Sequence, residues 1–485
     1  MMPDPLRWAE EEDLSAAALG AVLRQAGGAE AGRWFREAAR AAVAAAGAVS
    51  SPAGLERLRW ARIFHTLGSA GLASSWPSSA SKARALREEA FEIIGRTIVT
   101  GTGRRTPRPE NALRSDEIVW GRVAARLDLG GGWTDTPPYA LERGGRVINA
   151  AVHLNGQPPI QVYARVTETR EIRITSIDHG TQVRIRELDE LLDYRNPTSR
   201  FGLAKAALAL SGFSPAYARW PSGTTRLRDM LRKFGGGLEL TTLAAIPSGS
   251  GLGTSSLMGA ALVAVIHRMI GRDLTSDELF NKVLQLEQEL TTGGGWQDQI
   301  GGVLPGVKMI TTEPGLVPEP LVHYVPADVL DPRTNCGTTL LYYTGIRRLA
   351  KNILRTVVGR YLDRDAEAME TMAELHAFPP RMAEAMSRKD GRRFGEYIDL
   401  AWRLSKRIDP ESTTPEIEEI LARIRRRIYG AKLLGAGGGG FLLLVCRSEA
   451  DAAAVRKILE THPPNPRARF FSYEISDRGL QVTVC

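Results

Sequence analysis

The segment that most constrains the fold of this chain is Ile246-Pro-Ser-Gly-Ser-Gly-Leu-Gly-Thr-Ser-Ser256, a run of glycines and small hydroxyl residues. Alternating residues at 238–245 predict a strand before it, and the apolar stretch 257–270 predicts a helix after it. Unpaired backbone N–H groups and the helix dipole favour an anion at such a helix N-terminus, and glycine allows close approach. The segment therefore predicts a phosphate-binding loop, with a tight strand-to-helix turn as the alternative.

Two familiar nucleotide motifs do not fit this loop. No lysine follows its glycines as it would in a Walker loop, and the glycines fall at alternate positions, unlike a Rossmann fingerprint. A later cluster, Leu434-Gly-Ala-Gly-Gly-Gly-Gly-Phe441, has the spacing G-x-G-x-x-G. A predicted strand, Phe441–Cys446, follows it, whereas a dinucleotide site requires a helix there. This excludes a nicotinamide site and predicts a loop that closely approaches a phosphate or substrate.

Two carboxylates near the middle of the chain have unusual positions. Thr275-Ser-Asp-Glu278 is a capping box that opens a predicted helix. Glu287 falls at the edge of the apolar face of that helix, which predicts a metal ligand or a partly exposed flanking residue. Glu289 falls toward the polar side and is predicted to be solvated. Asp298, framed by glycines after the helix, predicts either a group at the phosphate site or a turn-forming residue.

Composition excludes several other functions. The net charge is +8, but the 63 Lys and Arg residues are scattered and lack interleaved aromatics, so we expect no nucleic-acid partner. The three cysteines are far apart, which argues against a disulfide framework or a zinc site. The acidic start of the chain does not resemble a signal peptide, and no long apolar stretch predicts a membrane partner. A reducing cytoplasm is the expected location.

The character of the chain changes along its length. Residues 1–97 predict a helical extension, and residues 98–116, rich in Pro, Gly and charge, predict a linker. Residues 117–322 predict an N-terminal lobe that contains the phosphate loop, and residues 323–485 predict a C-terminal lobe. The mixture of strands and helices predicts an α+β fold.

These motifs together resemble those of the GHMP kinases (galacto-, homoserine, mevalonate and phosphomevalonate kinases). The resemblance covers residues 119–485, with the three glycine-rich clusters in the family's order, the first being Arg126-Leu-Asp-Leu-Gly-Gly-Gly-Trp-Thr-Asp135. It implies the family's two-lobed fold preceded by a helical extension. The phrases GGWTDTPPY (131–139), LNGQPP (154–159) and LTTGGGWQDQIGG (290–302) are similar to the L-fucokinase branch, including the kinase half of bifunctional members.

The resemblance also implies roles for individual residues. Asp298 corresponds to the catalytic aspartate, Arg126 to the basic residue beside it, and Ser255 and Glu287 to the two ligands of Mg²⁺. Asp135 corresponds to the aspartate that binds sugar hydroxyls. The implied phosphate-binding residues are Pro247, Gly249, Ser250, Gly251, Leu252, Gly253, Thr254, Ser255 and Ser256. The other implied substrate-side residues are Trp133, Thr134, Gly437 and Gly438. Gly132 and Trp133 stand where galactokinases have Glu-His, which argues against galactose itself.

The implied reaction is transfer of the γ-phosphoryl group of ATP to the anomeric hydroxyl of L-fucose, with Mg²⁺. Two alternatives remain open. GGGWTD and Tyr343-Thr-Gly-Ile-Arg-Arg348 are also similar to heptose-phosphate kinases, and Arg143 and Arg146 could bind a substrate phosphate. A catalytically inactive sugar sensor is the second alternative, although Ser255, Glu287 and Asp298 are all in place.

Overall fold

The computed structural model describes residues 15–25, 28–48, 54–73, 80–102, 106–196, 198–247, 249–290, 294–346 and 350–485. Residues 1–14, Ser248, residues 291–293 and residues 347–349, which the sequence motifs include, lie outside the described residues. The helices within the described ranges are α1 Ala16–Gln25, α2 Gly28–Ala48, α3 Gly54–Ala73, α4 Ala80–Thr102, α5 Tyr139–Arg143, α6 Leu188–Leu192, α7 Gly202–Leu208, α8 Leu227–Phe234, α9 Thr254–Met269, α10 Ser276–Glu289, α11 Gln297–Val303, α12 Ala350–Leu362, α13 Ala366–Ala377, α14 Pro379–Ser387, α15 Gly391–Ile408, α16 Pro415–Ile424 and α17 Glu449–Thr461. The strands there are β1 Val119–Val123, β2 Ala125–Gly130, β3 Gly145–Leu154, β4 Ile160–Thr167, β5 Ile172–Ser176, β6 Thr181–Ile185, β7 Gly237–Ala244, β8 Val307–Thr312, β9 Leu321–Val325, β10 Thr339–Tyr343, β11 Ile428–Leu433, β12 Phe441–Cys446, β13 Arg469–Phe471, β14 Tyr473–Ile475 and β15 Gln481–Val484.

The strands form three sheets, and helices pack against them. One sheet has the order β15-β1-β4-β7-β5-β6, with β5 and β7 parallel and the other neighbours antiparallel. A second has the order β14-β3-β8-β9, and β2 also pairs with β3. The third has the order β11-β12-β10-β13. The expected α+β arrangement is therefore confirmed.

Apolar alternation explains why the first sheet carries a helix on one face. In β4, the residues Ile160, Val162 and Ala164 are buried while the intervening ones are more exposed. The apolar helix α9 packs on β1 and β4, and twelve of its sixteen residues are buried. Because α9 begins directly after the glycine-rich loop, this packing fixes the position of its N-terminus.

The N-terminal helices pack directly against the rest of the chain. Their core includes Leu284 of α10 and Val358 and Leu362 of α12. The imidazole Nδ1 of His65 on α3 lies 2.8 Å from Asp363 Oδ1, just beyond α12. Helix α4 continues to Thr102, beyond the expected end at 97. The helical extension thus packs against α10, the helix that contains Glu287.

The segment expected as a linker also contacts the region expected to be the N-terminal lobe. The backbone N–H of Thr106 donates to Tyr217 O at 2.8 Å, and that of Asn111 donates to Phe234 O at 3.1 Å. The boundary expected at residue 322 falls inside β9. The last two strands, β14 and β15, join the two sheets of the N-terminal part. The expected N-terminal and C-terminal lobes are thus interleaved at the C-terminus.

In the described ranges, no helix has both the length and the apolar character required to cross a membrane.

Candidate active site

The glycine-rich loop between β7 and α9 has a tightly constrained backbone. Gly249, Gly251 and Gly253 have φ values of 69°, 81° and 72°, a region in which other residues are strained. A Cβ atom on Gly251 would lie 2.9 Å from Gly435 Cα. The backbone N–H of Phe441 donates to Ser250 O at 3.0 Å. The third glycine cluster therefore packs directly behind this loop.

The loop contains buried hydroxyl groups that have no hydrogen-bond partner among the described residues. Ser250 Oγ and Thr254 Oγ1 are buried and make no hydrogen bond with any group that the structure describes. A buried hydroxyl without a partner is costly. An anion with several acceptor oxygens, such as a phosphate chain, would supply the missing hydrogen bonds at the N-terminus of α9.

Glu287 lies beside the first turn of α9. Its side chain is buried and accepts a hydrogen bond from Ser256 Oγ. The pKa of Glu287 is raised from its ordinary value of 4.5 to about 8, mainly by burial, with smaller contributions from the nearby Asp298 and Asp135. It is Ser256 that contacts this carboxylate, whereas the adjacent Ser255 is exposed.

Arg126 and Asp298 form an ion pair next to the loop. The Arg126 guanidinium is buried and donates through Nη2 to Asp298 and through Nη1 to Leu434 O at 2.9 Å. Asp298 lies in the first turn of α11. A Cβ atom on Gly253 would lie 3.4 Å from Asp298 Cγ, so this carboxylate borders the phosphate loop. Its side chain keeps 31% exposure, which leaves it accessible to a substrate.

Asp135 is held at the N-terminal end of α11. The backbone N–H of Gln297 donates to Asp135 Oδ2 at 3.2 Å, and the Gln297 amide donates to Oδ1 at 3.3 Å. Burial raises the pKa of Asp135 to about 7, and the nearby Asp298 contributes to the rise. Thr134 Oγ1 donates to Gly131 O at 2.7 Å, and Trp133 has a φ of 80°. The structure therefore brings the first motif and α11 together.

The geometry explains why glycine occupies position 132. A Cβ atom there would lie 2.7 Å from Asp128 Oδ2 and 3.1 Å from Gln297 Nε2. A glutamate at this position, as in galactokinases, would meet the Asp128 carboxylate. Asp128 thus fills the space that a side chain at position 132 would need.

This contact leads to a testable prediction. Gly132→Ala is expected to lower kcat/KM for the predicted sugar substrate roughly 10-fold. The reason is that overpacking of about 1–3 kcal/mol would displace residues 131–135 (the sugar loop), which contain the predicted sugar ligand Asp135. The KM for ATP should stay near the wild-type value. Gly391→Ala is the matched control, since a Cβ atom at Gly391 would meet no atom within 4 Å. Equal steady-state constants for Gly132→Ala and wild type would show that this packing does not shape the sugar site.

Two expectations have different outcomes in the structure. The expected solvation of Glu289 is wrong: the residue is buried, and its carboxylate binds Arg195 and the Tyr217 hydroxyl. The neighbouring helices enclose α10 on more than one side, so a single polar face does not describe it. Gly437 and Gly438 pack against Ser412, where the Gly438 N–H donates to the Ser412 carbonyl at 2.6 Å. Their role in substrate binding stays a prediction.

Sequence reasoning missed two buried lysines near the site. Lys432 Nζ lies 2.6 Å from Asp128 Oδ2. Lys308 Nζ donates to Gly301 O at 2.7 Å and to Gly306 O at 3.2 Å, so it caps the C-terminal end of α11. Burial lowers the pKa of Lys308 to about 7. The available signal was a lysine inside each of two otherwise apolar strands.

Comparison with known proteins identifies the family. Residues 224–306 match the model of the GHMP kinases N terminal domain, and residues 382–465 match that of the GHMP kinases C terminal region. The chain therefore contains the N-terminal and C-terminal domains of the GHMP kinases. The L-fucokinase/L-fucose-1-P guanylyltransferase of Bacteroides fragilis is 42% identical over 396 residues, which are 82% of this chain and 42% of that protein.

Two further comparisons bear on the branch and on the fold. The bifunctional fucokinase/GDP-fucose pyrophosphorylase of Arabidopsis thaliana is 34% identical over 70% of this chain and 31% of that protein. The chain therefore spans less than half the length of these two relatives. The Lactococcus lactis galactokinase complexed with galactose has a TM-score of 0.55 at 17% identity, covering 76% of this chain and 95% of that one. That similarity shows the fold.

Proposed function

We propose that this chain is an ATP-dependent sugar kinase that phosphorylates the anomeric hydroxyl of L-fucose and yields L-fucose 1-phosphate and ADP. The observation that carries the proposal is the Arg126–Asp298 pair, which lies between the glycine-rich loop and the buried Asp135. A carboxylate is thus available where a phosphate site and a candidate sugar site meet. The choice of L-fucose rests on the similarity to the two bifunctional relatives.

The loop and its surroundings fit the β- and γ-phosphates of ATP. Phosphoryl transfer depends mainly on positioning and on neutralising charge. The N-terminus of α9, with the buried hydroxyls of Ser250 and Thr254, would bind phosphate oxygens. The Arg126 guanidinium would offset charge on the transferring group.

The residues present also fit Mg²⁺, which prefers oxygen ligands and few protein groups. Ser255 and Glu287 are the proposed ligands, and Ser256 would orient the Glu287 carboxylate through its hydrogen bond. Burial disfavours the charge on Glu287, and a cation would offset that cost. When bound, the ion would supply positive charge against the phosphate oxygens.

Asp298 would accept the proton of the attacking hydroxyl, or orient that hydroxyl for attack, at the edge of the loop. Its ion pair with Arg126 holds the carboxylate in place at that edge. Asp135, with Trp133 and Thr134 beside it, would bind the sugar. Gln297 connects the two carboxylates, because its amide groups hold Asp135 while its neighbour in the chain is Asp298.

A substrate panel tests this proposal. ADP release is measured with L-fucose, D-arabinose, galactose, mannose and heptose phosphates, and the product with L-fucose is identified by its phosphorus–proton coupling. We expect the highest kcat/KM with L-fucose and phosphorylation at the anomeric oxygen. Turnover only with a phosphorylated sugar would instead favour the heptose-phosphate alternative. Turnover with none of the sugars would favour the sensor.

We also propose a cytoplasmic setting. Cys336, Cys446 and Cys485 are all free thiols in the structure. Free thiols are typical of a reducing compartment.

A further inference from the structure

We propose that the buried Lys432–Asp128 ion pair is a positioning device for phosphoryl transfer. Lys432 neutralises the Asp128 carboxylate, so that the Arg126 guanidinium remains paired with Asp298. This inference rests on the proposed kinase function and deepens it. It assigns a role to Asp128 and Lys432, to which neither the sequence analysis nor the proposed reaction gave one.

The geometry places this pair immediately beside Arg126. Arg126 and Asp128 are alternate residues of β2, so their side chains leave the strand on the same face. Lys432 lies near the end of β11, and Leu434 follows directly after that strand. Lys432 Nζ donates to Asp128 Oδ2 at 2.6 Å and to Asp128 O at 3.0 Å, and Arg126 Nη1 donates to Leu434 O at 2.9 Å. Two adjacent contacts thus fix β11 to β2.

The charges in this cluster are balanced one to one. Lys432 and Asp128 are only 2% and 6% exposed, so solvent screens them weakly. Arg126 is paired with Asp298, and Lys432 is paired with Asp128. Without Lys432, the Asp128 carboxylate would be buried without a counter-ion, which is strongly unfavourable. The cation two residues away on the same face of β2 is Arg126.

The consequence is a competition for Arg126. A guanidinium drawn toward Asp128 would weaken its hydrogen bonds to Asp298 and Leu434 O. Asp128 Oδ2 also lies beside Gly132, at the start of the sugar loop. A displacement of Asp128 would therefore disturb the base and the acceptor together. An error of about 1 Å in such a geometry can lower a rate by about 10²-fold.

The test is a double-mutant cycle with Lys432→Met, Asp128→Asn and the combined variant, in the full chain. Turnover and the KM for ATP are measured with L-fucose, or with the sugar that the panel identifies, and thermal unfolding is recorded for each variant. Lys432→Met is expected to lower kcat roughly 10- to 100-fold with the KM for ATP nearly unchanged. The combined variant should recover most of the lost kcat, because it restores the charge balance.

Lys205→Met is the matched control. Lys205 is also buried, and its Nζ donates to Asp193 at 2.7 Å and to Ser199 at 3.0 Å, neither of which is assigned to the transfer site. It should lose stability while its folded fraction keeps the wild-type kcat. If Lys432→Met does not fold, kcat of the combined variant is compared with that of Asp128→Asn. The combined variant is expected to have the higher kcat, because it restores the charge balance.

The outcomes separate the inference from the function on which it rests. A wild-type protein without turnover on any sugar would overturn the proposed function. An active wild type whose Lys432→Met variant keeps full kcat would overturn the positioning role alone. The positioning role would also be overturned if kcat of the combined variant were no higher than that of either single variant. A purely structural role predicts that kcat of each variant follows its stability.

Discussion

Asp298→Asn is expected to lower turnover by at least about 10²-fold, because a positioned carboxylate base contributes about 10²–10⁴-fold and an amide cannot accept the proton. Asparagine has nearly the same shape, and its oxygen can still accept from Arg126, so the ion pair becomes a hydrogen bond. Among the described residues, the Asp298 side chain accepts its hydrogen bond from Arg126 and none from the glycine-rich loop. ATP binding should therefore be retained, as measured by calorimetry beside kcat.

The control for this change is Asp193→Asn, an aspartate outside the site whose partner is Lys205. It should keep turnover within a few-fold of wild type. A result in that range for Asp298→Asn would remove Asp298 from the mechanism. Loss of ATP affinity together with turnover would instead indicate that the Arg126–Asp298 pair supports the loop.

Local patterns in the sequence were sufficient for the parts of the site that lie close together in the chain. The strand expected at 238–245 is β7, Gly237–Ala244, and the helix expected at 257–270 is α9, Thr254–Met269. The strand expected at Phe441–Cys446 has those bounds. Glycine spacing and apolar period act within a few residues, so they place these elements without knowledge of the tertiary structure.

Other features depend on contacts between distant parts of the chain. Lys432 and Asp128 are 304 residues apart, and no local sequence pattern around either residue indicates that the two form a pair. The burial of Glu289 depends on Arg195 and Tyr217, which precede it by 94 and 72 residues. Periodicity shows which face of a helix is the most apolar, but it does not show how many faces are buried in the tertiary structure. For the same reason, the return of β14 and β15 to the N-terminal sheets had no local signal.

Glu287→Gln is expected to have opposite effects on stability and on activity. Burial raises the pKa of Glu287 to about 8, so between its ordinary value of 4.5 and that value the folded chain holds a proton that the unfolded chain has released. The free energy of unfolding therefore falls as pH rises through this window, by up to about 1.4 kcal/mol per pH unit. Glutamine does not titrate, so the variant should lack this contribution and be more stable than wild type at pH 9.

Activity should change in the other direction, because the variant loses the carboxylate proposed to bind Mg²⁺. Turnover is expected to fall about 10²-fold or more, since a metal ion supplies several kcal/mol of charge stabilisation. Unfolding is measured at pH 5 and pH 9 without divalent cations and again with Mg²⁺. The ion should stabilise wild type at pH 9 and have little effect on Glu287→Gln.

Glu289→Gln provides the comparison within the same helix. It is the same chemical change at a buried position two residues away, but this carboxylate is bound by Arg195 and the Tyr217 hydroxyl. Its loss should therefore lower stability at both pH values while turnover stays within a few-fold of wild type. If Glu287→Gln instead behaves like Glu289→Gln, the carboxylate supports the structure of α10. The proposed metal site would then have to lie elsewhere around the loop.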